Sequence, residues 1–188
     1  MALTLDNIAQ LFASHGARIY SGEPVTQLQH ALQTASLAEQ CGEQDELITA
    51  CLLHDLGHML NDQGETPTMR ELDDTHQYFA LPFLRGLFSD RVLDAIRLHV
   101  DAKRYLCRMR PDYRATLSAD SIRSLELQGG IYSQQQCVEF IAQPGAPDAV
   151  KLRQWDDQAK QPNLSTPELA HFLQRAARCC ISPPPSHQ

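Results

Sequence analysis

The chain has 188 residues, of which 43% are hydrophobic and 21% are charged, and its formal net charge is −7. This length and apolar fraction suit one globular domain and exclude wholesale disorder. The acidic balance disfavours nucleic acid and anionic membranes as partners but is compatible with a small basic pocket for a small anion. No apolar run approaches the ~20 residues that span a bilayer, and the first residues resemble no secretory signal. We therefore expect a cytoplasmic location and no membrane partner.

Apolar residues recur at helical spacing along nearly the whole chain. Thr26 opens a capping-box pattern, and Ser118 is a further candidate N-cap. Thr166 followed by Pro167 predicts the start of the last helix. The predicted helices run from Leu5 to a C-cap at Gly16, from Thr26 to near Gly42, from Asp45 into His54-Asp55, over about 76–86 and 90–100, from Ser118 to 128–130, over 134–142, over about 148–160, and from Thr166 onward.

The segments between these helices carry loop or turn signals. Residues 61–70 are polar, contain Gly and Pro, and predict a surface loop, and residues 144–147 predict a turn. Residues 102–117 show no clean period. Because no stretch alternates as a strand would, the sequence predicts a single all-α domain over residues 1–178, followed by a disordered tail over 179–188.

The chemically informative feature is a pair of adjacent residues, His54-Asp55, that follows an apolar run. Burying such a pair is costly unless a partner compensates it. Imidazole and carboxylate are both ligands of first-row metals. The alternative is a buried pair without metal, in which the histidine and the aspartate form a hydrogen bond with each other. His30, His76 and His99 fall on or beside other predicted helices that could converge on this pair. The six cysteines form no C-x-x-C pair, and we assign none of them to function.

Helical spacing adds further polar residues to this candidate site. His58 lies four residues after His54, which places both on one face of a continuous helix. Arg153, Asp156 and Lys160 are spaced three and four apart and form a stripe that, taken alone, would suit a solvated row of ion pairs.

His30, His54-Asp55 and Asp156 resemble, in this order, the signature of the HD-domain superfamily, whose members are all-helical and metal-dependent. Four segments are similar to the small branch of HD-domain mixed-valent diiron oxygenases that cleaves carbon–phosphorus bonds. These segments are VTQLQHALQTA, LLHDLGH, LSADSIRSLELQGG and RQWDDQAK.

The resemblance implies two iron ions in a mixed-valent Fe(II)/Fe(III) state, with O2 as co-substrate. It places the carboxylate of Asp55 between the two ions. The six implied ligands are His30, His54, Asp55, His76, His99 and Asp156. Asp157 is the alternative to Asp156. We prefer Asp156 because it lies three residues after Arg153 and four before Lys160, so that all three side chains face one way. The ligand types alone fit iron, manganese or zinc.

The resemblance also implies a phosphonate-binding set. We assign Lys103, Ser121, Ser124, Arg153 and Lys160 to it. Arg offers a planar fork that suits phosphonate oxygens, whereas Lys acts as a point charge. The two serines, three residues apart, can face one way, and either can instead cap a helix N-terminus.

Three more residues are assigned to catalysis. Tyr20 and Glu23 precede His30 in the segment IYSGEP, and the resemblance implies a lid pair that responds to substrate. The carboxylate of Glu23 would lie near the substrate's ammonium group. His58 is expected to lie behind the ligands or to contact the substrate.

The function implied by the resemblance is oxidative cleavage of a 1-hydroxyphosphonate, with 2-amino-1-hydroxyethylphosphonate and O2 giving glycine and phosphate. An HD-type phosphohydrolase of a nucleotide or phosphate ester is the alternative, since the same ligands could activate water. A non-catalytic scaffold is the third alternative. It is less compatible with this chain, because such domains usually lose metal ligands and this chain retains all six expected ones.

Overall fold

Helices carry the regular structure of the chain in a computed structural model that describes residues 2–20, 23–61 and 75–181. These ranges also hold three isolated β-bridges and no strand, so the expectation of an all-α fold is confirmed. The helices are α1 (Leu5–His15), α2 (Gln27–Gln40), α3 (Asp45–Leu53), α4 (Leu56–Leu60), α5 (His76–Phe79), α6 (Leu81–Leu84), α7 (Asp90–Met109), α8 (Tyr113–Thr116), α9 (Ala119–Leu127), α10 (Gln134–Ile141), α11 (Ala146–Gln158) and α12 (Leu169–Arg178).

The core lies between α2, α3, α7 and α11, with α1, α4, α6 and α12 closing it from the outside. Apolar residues from all these helices form one buried cluster. The capping box predicted at Thr26 is present and starts α2, the helix that carries His30. Gly16 follows α1 as its C-cap, as predicted. In the described parts of the chain, no helix is both long enough and apolar enough to cross a membrane.

Three predicted helix bounds are wrong. The helix predicted over 90–100 continues without interruption to Met109. The prediction stopped short because the inner face carries buried polar residues such as Lys103, which obscure the apolar period. The helix over 76–86 is divided at Ala80 into α5 and α6, and Pro82 stands in the first turn of α6, where its missing N–H costs least. The last helix begins after an extended N-cap, Glu168, two residues beyond Thr166.

Two other expectations lie partly outside the described residues. Residues 62–70 of the predicted loop and residues 182–188 of the predicted tail belong to the part that the structure does not describe. Of the tail, Cys180 forms a β-bridge with Phe88, and the Ile181 N–H donates to the Leu87 carbonyl. The described chain therefore stays in contact with the helices up to residue 181.

Candidate metal centre

The His54-Asp55 pair lies at a break between two helices. Helix α3 ends at Leu53, His54 caps it, and Asp55 has a non-helical backbone (φ −102°, ψ 12°) before α4 begins. The prediction of one continuous helix with His54 and His58 on the same face is therefore wrong. His58 is nevertheless next to the pair, because its Nε2 lies 3.8 Å from Asp55 Oδ1.

One oxygen of Asp55 faces a first cluster of ligand atoms. Oδ2 lies 3.5 Å from His30 Nε2 and 3.3 Å from His54 Nε2. His30 Nε2 is 3.2 Å from His54 Nε2 and 3.4 Å from Asp156 Oδ1. His30, His54 and Asp156 are fully or almost fully buried and could together hold one metal ion.

The other oxygen of Asp55 faces a second cluster. Oδ1 lies 3.1 Å from His76 Nε2 and 3.7 Å from His99 Nε2, and these two nitrogens are 3.1 Å apart. His58 stacks on His76 with ring centroids 4.1 Å apart. The two carboxylate oxygens of Asp55 thus face two neighbouring groups of candidate ligands, as would be required of a carboxylate that bridges two ions.

The far sides of three imidazoles are anchored to the backbone. His54 Nδ1 and His99 Nδ1 each donate to the carbonyl three residues earlier, at 2.8 and 2.7 Å. His30 Nδ1 donates to the Ala159 carbonyl at 2.9 Å. Protonation at Nδ1 leaves Nε2 with a free lone pair directed into the cluster, which is the usual arrangement of a metal-binding histidine.

The charges and orphaned atoms of the site fit a metal ion. Asp55 Oδ2 and Asp156 Oδ1 are buried without a hydrogen-bond donor, which is costly unless a cation lies between them. Burial lowers the pKa of His30 to about 4, so this imidazole is neutral, as a ligand must be. Burial alone would raise the pKa of Asp156, but Arg153 and the nearby histidines outweigh it and hold the carboxyl ionised.

A close backbone approach positions the second cluster. Gly57 in α4 lies against the start of α5, where a Cβ on this residue would meet the His76 carbonyl oxygen at 2.1 Å. Only glycine permits this contact. His76 follows Thr75, which adopts a left-handed conformation (φ 47°).

Beside the first cluster lies a buried cation. Arg153 Nη1 donates to Asp156 Oδ2 at 2.9 Å, and Arg153 Nη2 lies 3.4 Å from Ser121 Oγ. Asp157 does not face the cluster, because both of its oxygens accept from Arg153. The structure therefore brings Asp156, and not Asp157, to the candidate ligands.

Two lysines complete a cationic pocket around Ser121. Lys103 is 2% exposed and donates to Ser124 Oγ at 2.6 Å, and burial together with Arg153 lowers its pKa to about 7. Lys160 Nζ lies 3.4 Å from Ser121 Oγ and 3.2 Å from Glu23 Oε1. All five residues assigned to anion binding thus lie together.

The two residues expected to form a lid both lie beside Lys160, whose Nζ is 3.2 Å from Glu23 Oε1 and 5.7 Å from the centre of the Tyr20 ring. Tyr20 stacks on His30 with ring centroids 3.9 Å apart and meets His58 edge-on. Burial, with Asp55 and Asp156 nearby, raises the pKa of the Tyr20 phenol. Residues 21 and 22, which join Tyr20 to Glu23, lie outside the described residues.

Sequence reasoning missed three contributors to the site. Ser118 was predicted only as an N-cap, and it also lies 3.3 Å from Lys160 Nζ. Tyr113 donates to Asp157 across 44 residues of chain, and no local pattern indicates this contact. Gly57 could have been noticed, because a glycine inside a predicted helix often marks a close backbone approach.

Comparisons with known proteins agree with this geometry. A model of the HD domain family matches residues 28–128, more than half of the chain. The chain is 38% identical over 175 residues to a [1-hydroxy-2-(trimethylamino)ethyl]phosphonate dioxygenase (glycine-betaine-forming) of Leisingera caerulea, covering 91% of this chain and 87% of the relative. It is 41% identical over 174 residues to a hydroxymethylphosphonate dioxygenase of Gimesia maris, covering 92% and 86%.

Proposed function

The chain belongs to the HD-domain family and is a dioxygenase within it, and from this premise we propose that it cleaves the carbon–phosphorus bond of a 1-hydroxyphosphonate with O2. The observation that carries the proposal is Asp55, whose two oxygens each face a separate group of histidines next to a buried cationic pocket. The site draws on residues from Tyr20 to Lys160, so one domain holds all of it.

Two iron ions would occupy the two clusters, in a mixed-valent Fe(II)/Fe(III) pair. His30, His54 and Asp156 would hold one ion, His76 and His99 the other, with Asp55 between them. When bound, the pair supplies the redox chemistry with O2 and the Lewis acidity that binds a substrate hydroxyl.

The protein's own groups bind and orient the substrate. Arg153, Lys103 and Lys160 would offset the negative charge of the phosphonate, and Ser121 and Ser124 would donate to its oxygens. Holding the phosphonate there fixes C1 and its hydroxyl against the metal ligands. His58, which stacks on His76 and whose side chain is 17% exposed, would also contact the substrate.

Tyr20 and Glu23 would control access to this site. The Tyr20 ring covers His30, and Glu23 pairs with Lys160, which is one of the pocket cations. Binding of a phosphonate to Lys160 would compete with this ion pair and free Glu23 to accept from the substrate's ammonium group. Water exclusion would follow from closure over the bound substrate.

For the far end of the substrate we propose a primary amine. A quaternary ammonium group is usually bound by several aromatic rings. In the described ranges, the ring partners of Tyr20 are His30 and His58, and the nearby cation Lys160 lies 5.7 Å from its ring. The proposed reaction is 2-amino-1-hydroxyethylphosphonate plus O2 giving glycine plus phosphate, in which atoms and charge balance.

The test compares three substrates on iron-loaded protein. O2 uptake, phosphate and the organic product are measured with 2-amino-1-hydroxyethylphosphonate, its trimethylammonio analogue and hydroxymethylphosphonate. We expect the highest kcat/KM with the amino substrate, and glycine, phosphate and consumed O2 in equal amounts. Glu23→Gln should impair the amino substrate more than hydroxymethylphosphonate, which has no ammonium group. Preference for either other substrate would overturn the choice of amine, and phosphate release without O2 uptake would overturn the reaction.

A further inference from the structure

Arg153 is held from behind by a carboxylate that does not face the metal ligands. Asp157, one helical turn further along α11, accepts from Arg153 Nε through Oδ2 at 3.2 Å and from Arg153 Nη2 through Oδ1. The Arg153 side chain is buried, with 6% exposure, and the Asp157 side chain is partly buried, with 10% exposure. A two-point contact of this kind fixes the plane of the guanidinium as well as its position.

This contact determines which N–H groups remain for a ligand. A guanidinium has five N–H donors in a rigid plane. Asp157 uses two of them, on Nε and Nη2, and Asp156 uses one on Nη1. One donor remains on Nη1, and the second donor of Nη2 points to Ser121 Oγ at 3.4 Å, inside the cationic pocket. The donors that Asp157 leaves for the pocket are therefore those on Nη1 and Nη2.

Tyr113 supports Asp157 from outside α11. Its hydroxyl donates to Asp157 Oδ2 and lies 3.4 Å from Arg153 Nε. Tyr113 and Asp157 also line a surface cavity of about 680 Å³, together with residues such as Arg110 and Gln154. Water in this cavity could replace a missing hydroxyl, whereas it could not replace a carboxylate charge.

We propose that Asp157 is a positioning residue for anion binding. It orients Arg153 so that the donors on Nη1 and Nη2 face the phosphonate, and Tyr113 holds Asp157 in place. The assignment rests on the proposed function for the identity of the anion. It differs from a ligand role for Asp157, because it requires no loss of metal when Asp157 is changed. It also differs from a purely structural role, because its effect passes through Arg153.

The experiment is a double-mutant cycle on metal-loaded protein, with binding of inorganic phosphate at constant pH as the measurement. Phosphate is chosen because it presents the same oxygens as a phosphonate and needs no turnover. Asp157→Asn should weaken phosphate binding about tenfold while both metal equivalents remain. Tyr113→Phe should weaken it about threefold. Asp148→Asn is the matched control, since Asp148 lies on the same helix and pairs with Arg91 at the surface.

The decisive comparison repeats Asp157→Asn in an Arg153→Lys background, which keeps a charge but has no planar edge to orient. We expect less than a twofold further loss there. An equal loss in both backgrounds, or a loss of metal with Asp157→Asn, would overturn the proposal. If the effect of Asp157→Asn depends on Arg153 but the protein turns over no hydroxyphosphonate, only the proposed function is contradicted. If the protein turns over a hydroxyphosphonate but the effect of Asp157→Asn does not depend on Arg153, only the positioning role is contradicted.

Discussion

The two halves of the candidate metal centre share Asp55 but are built differently. In the first half, His30, His54 and Asp156 have side chains that are at most 2% exposed and come from α2, α11 and the end of α3. In the second half, His76 belongs to a four-residue helix and is 10% exposed. The first half is thus buried throughout, whereas the second combines His99, which is 1% exposed on α7, with a more exposed His76 at the edge of the core. Removing parts of each half separates their roles.

The largest effect is expected from the residue that the halves share. Asp55→Ala removes the carboxylate from both clusters at once and leaves four histidine nitrogens facing one another within 3.2 Å in pairs. Outer-shell partners of metal ligands are worth about 10–100-fold in affinity, so the loss of a bridging ligand should exceed about 100-fold for both ions. Metal analysis after dialysis measures this. Retention of two equivalents would exclude a bridging role.

Single ligands should separate the halves. Asp156→Ala should lose the first ion and His76→Ala the second, so each variant should retain about one equivalent of metal. Metal content per chain and circular dichroism measure the outcome, because loss of the buried Asp156 could also disturb Arg153. Asp157→Ala is the control, since Asp157 faces Arg153 and not the cluster. If Asp157→Ala loses metal and Asp156→Ala does not, the ligand assignment is reversed.

Local sequence signals mark only part of the candidate metal centre, whereas the full set of six candidate ligands is implied by the family resemblance. His54-Asp55 follows an apolar run, and Thr26 marks the start of the helix that carries His30. The break of the helix at His54 could not be predicted, because the spacing of His54 and His58 fits a continuous helix and no local signal marks the non-helical backbone of Asp55. The spacing to Lys160 favoured Asp156 over Asp157, in agreement with the geometry, but the contact of Tyr113 with Asp157 is tertiary and has no local pattern.

A steric change should damage the second half selectively. Gly57→Ala puts a Cβ 2.1 Å from the His76 carbonyl oxygen and must displace α5 or α4. We expect weakened binding of the second ion, intact binding of the first, and a loss of stability of about 1–3 kcal/mol. Gly16→Ala is the matched control, because its Cβ would meet the Phe12 carbonyl oxygen at 2.4 Å and Leu28 Cβ at 3.0 Å, neither of which belongs to a candidate ligand. It should lower the melting temperature without loss of metal, and equal metal loss in both variants would contradict the local effect.

The smallest effect concerns the anion pocket beside the first half. Burial lowers the pKa of Lys103 to about 7, so its charge is present below this pH and is lost as the pH rises through it. Anion affinity should therefore fall above pH 7, by up to about tenfold per pH unit. Sulfate is the suitable probe because it remains a dianion over this range.

Lys103→Arg tests the origin of this pH dependence, because arginine stays charged throughout. The fall in sulfate affinity should become shallower in this variant. An identical pH profile in both proteins would show that another group titrates.

The most direct test of the account is the fate of the two oxygen atoms when the iron-loaded protein reacts under ¹⁸O₂. The substrate hydroxyl supplies one oxygen of the carboxylate product and the phosphonate supplies three oxygens of phosphate, so each product needs one more. The account predicts one labelled oxygen in the carboxylate and one in phosphate. Unlabelled products, or phosphate released without O2, would contradict it.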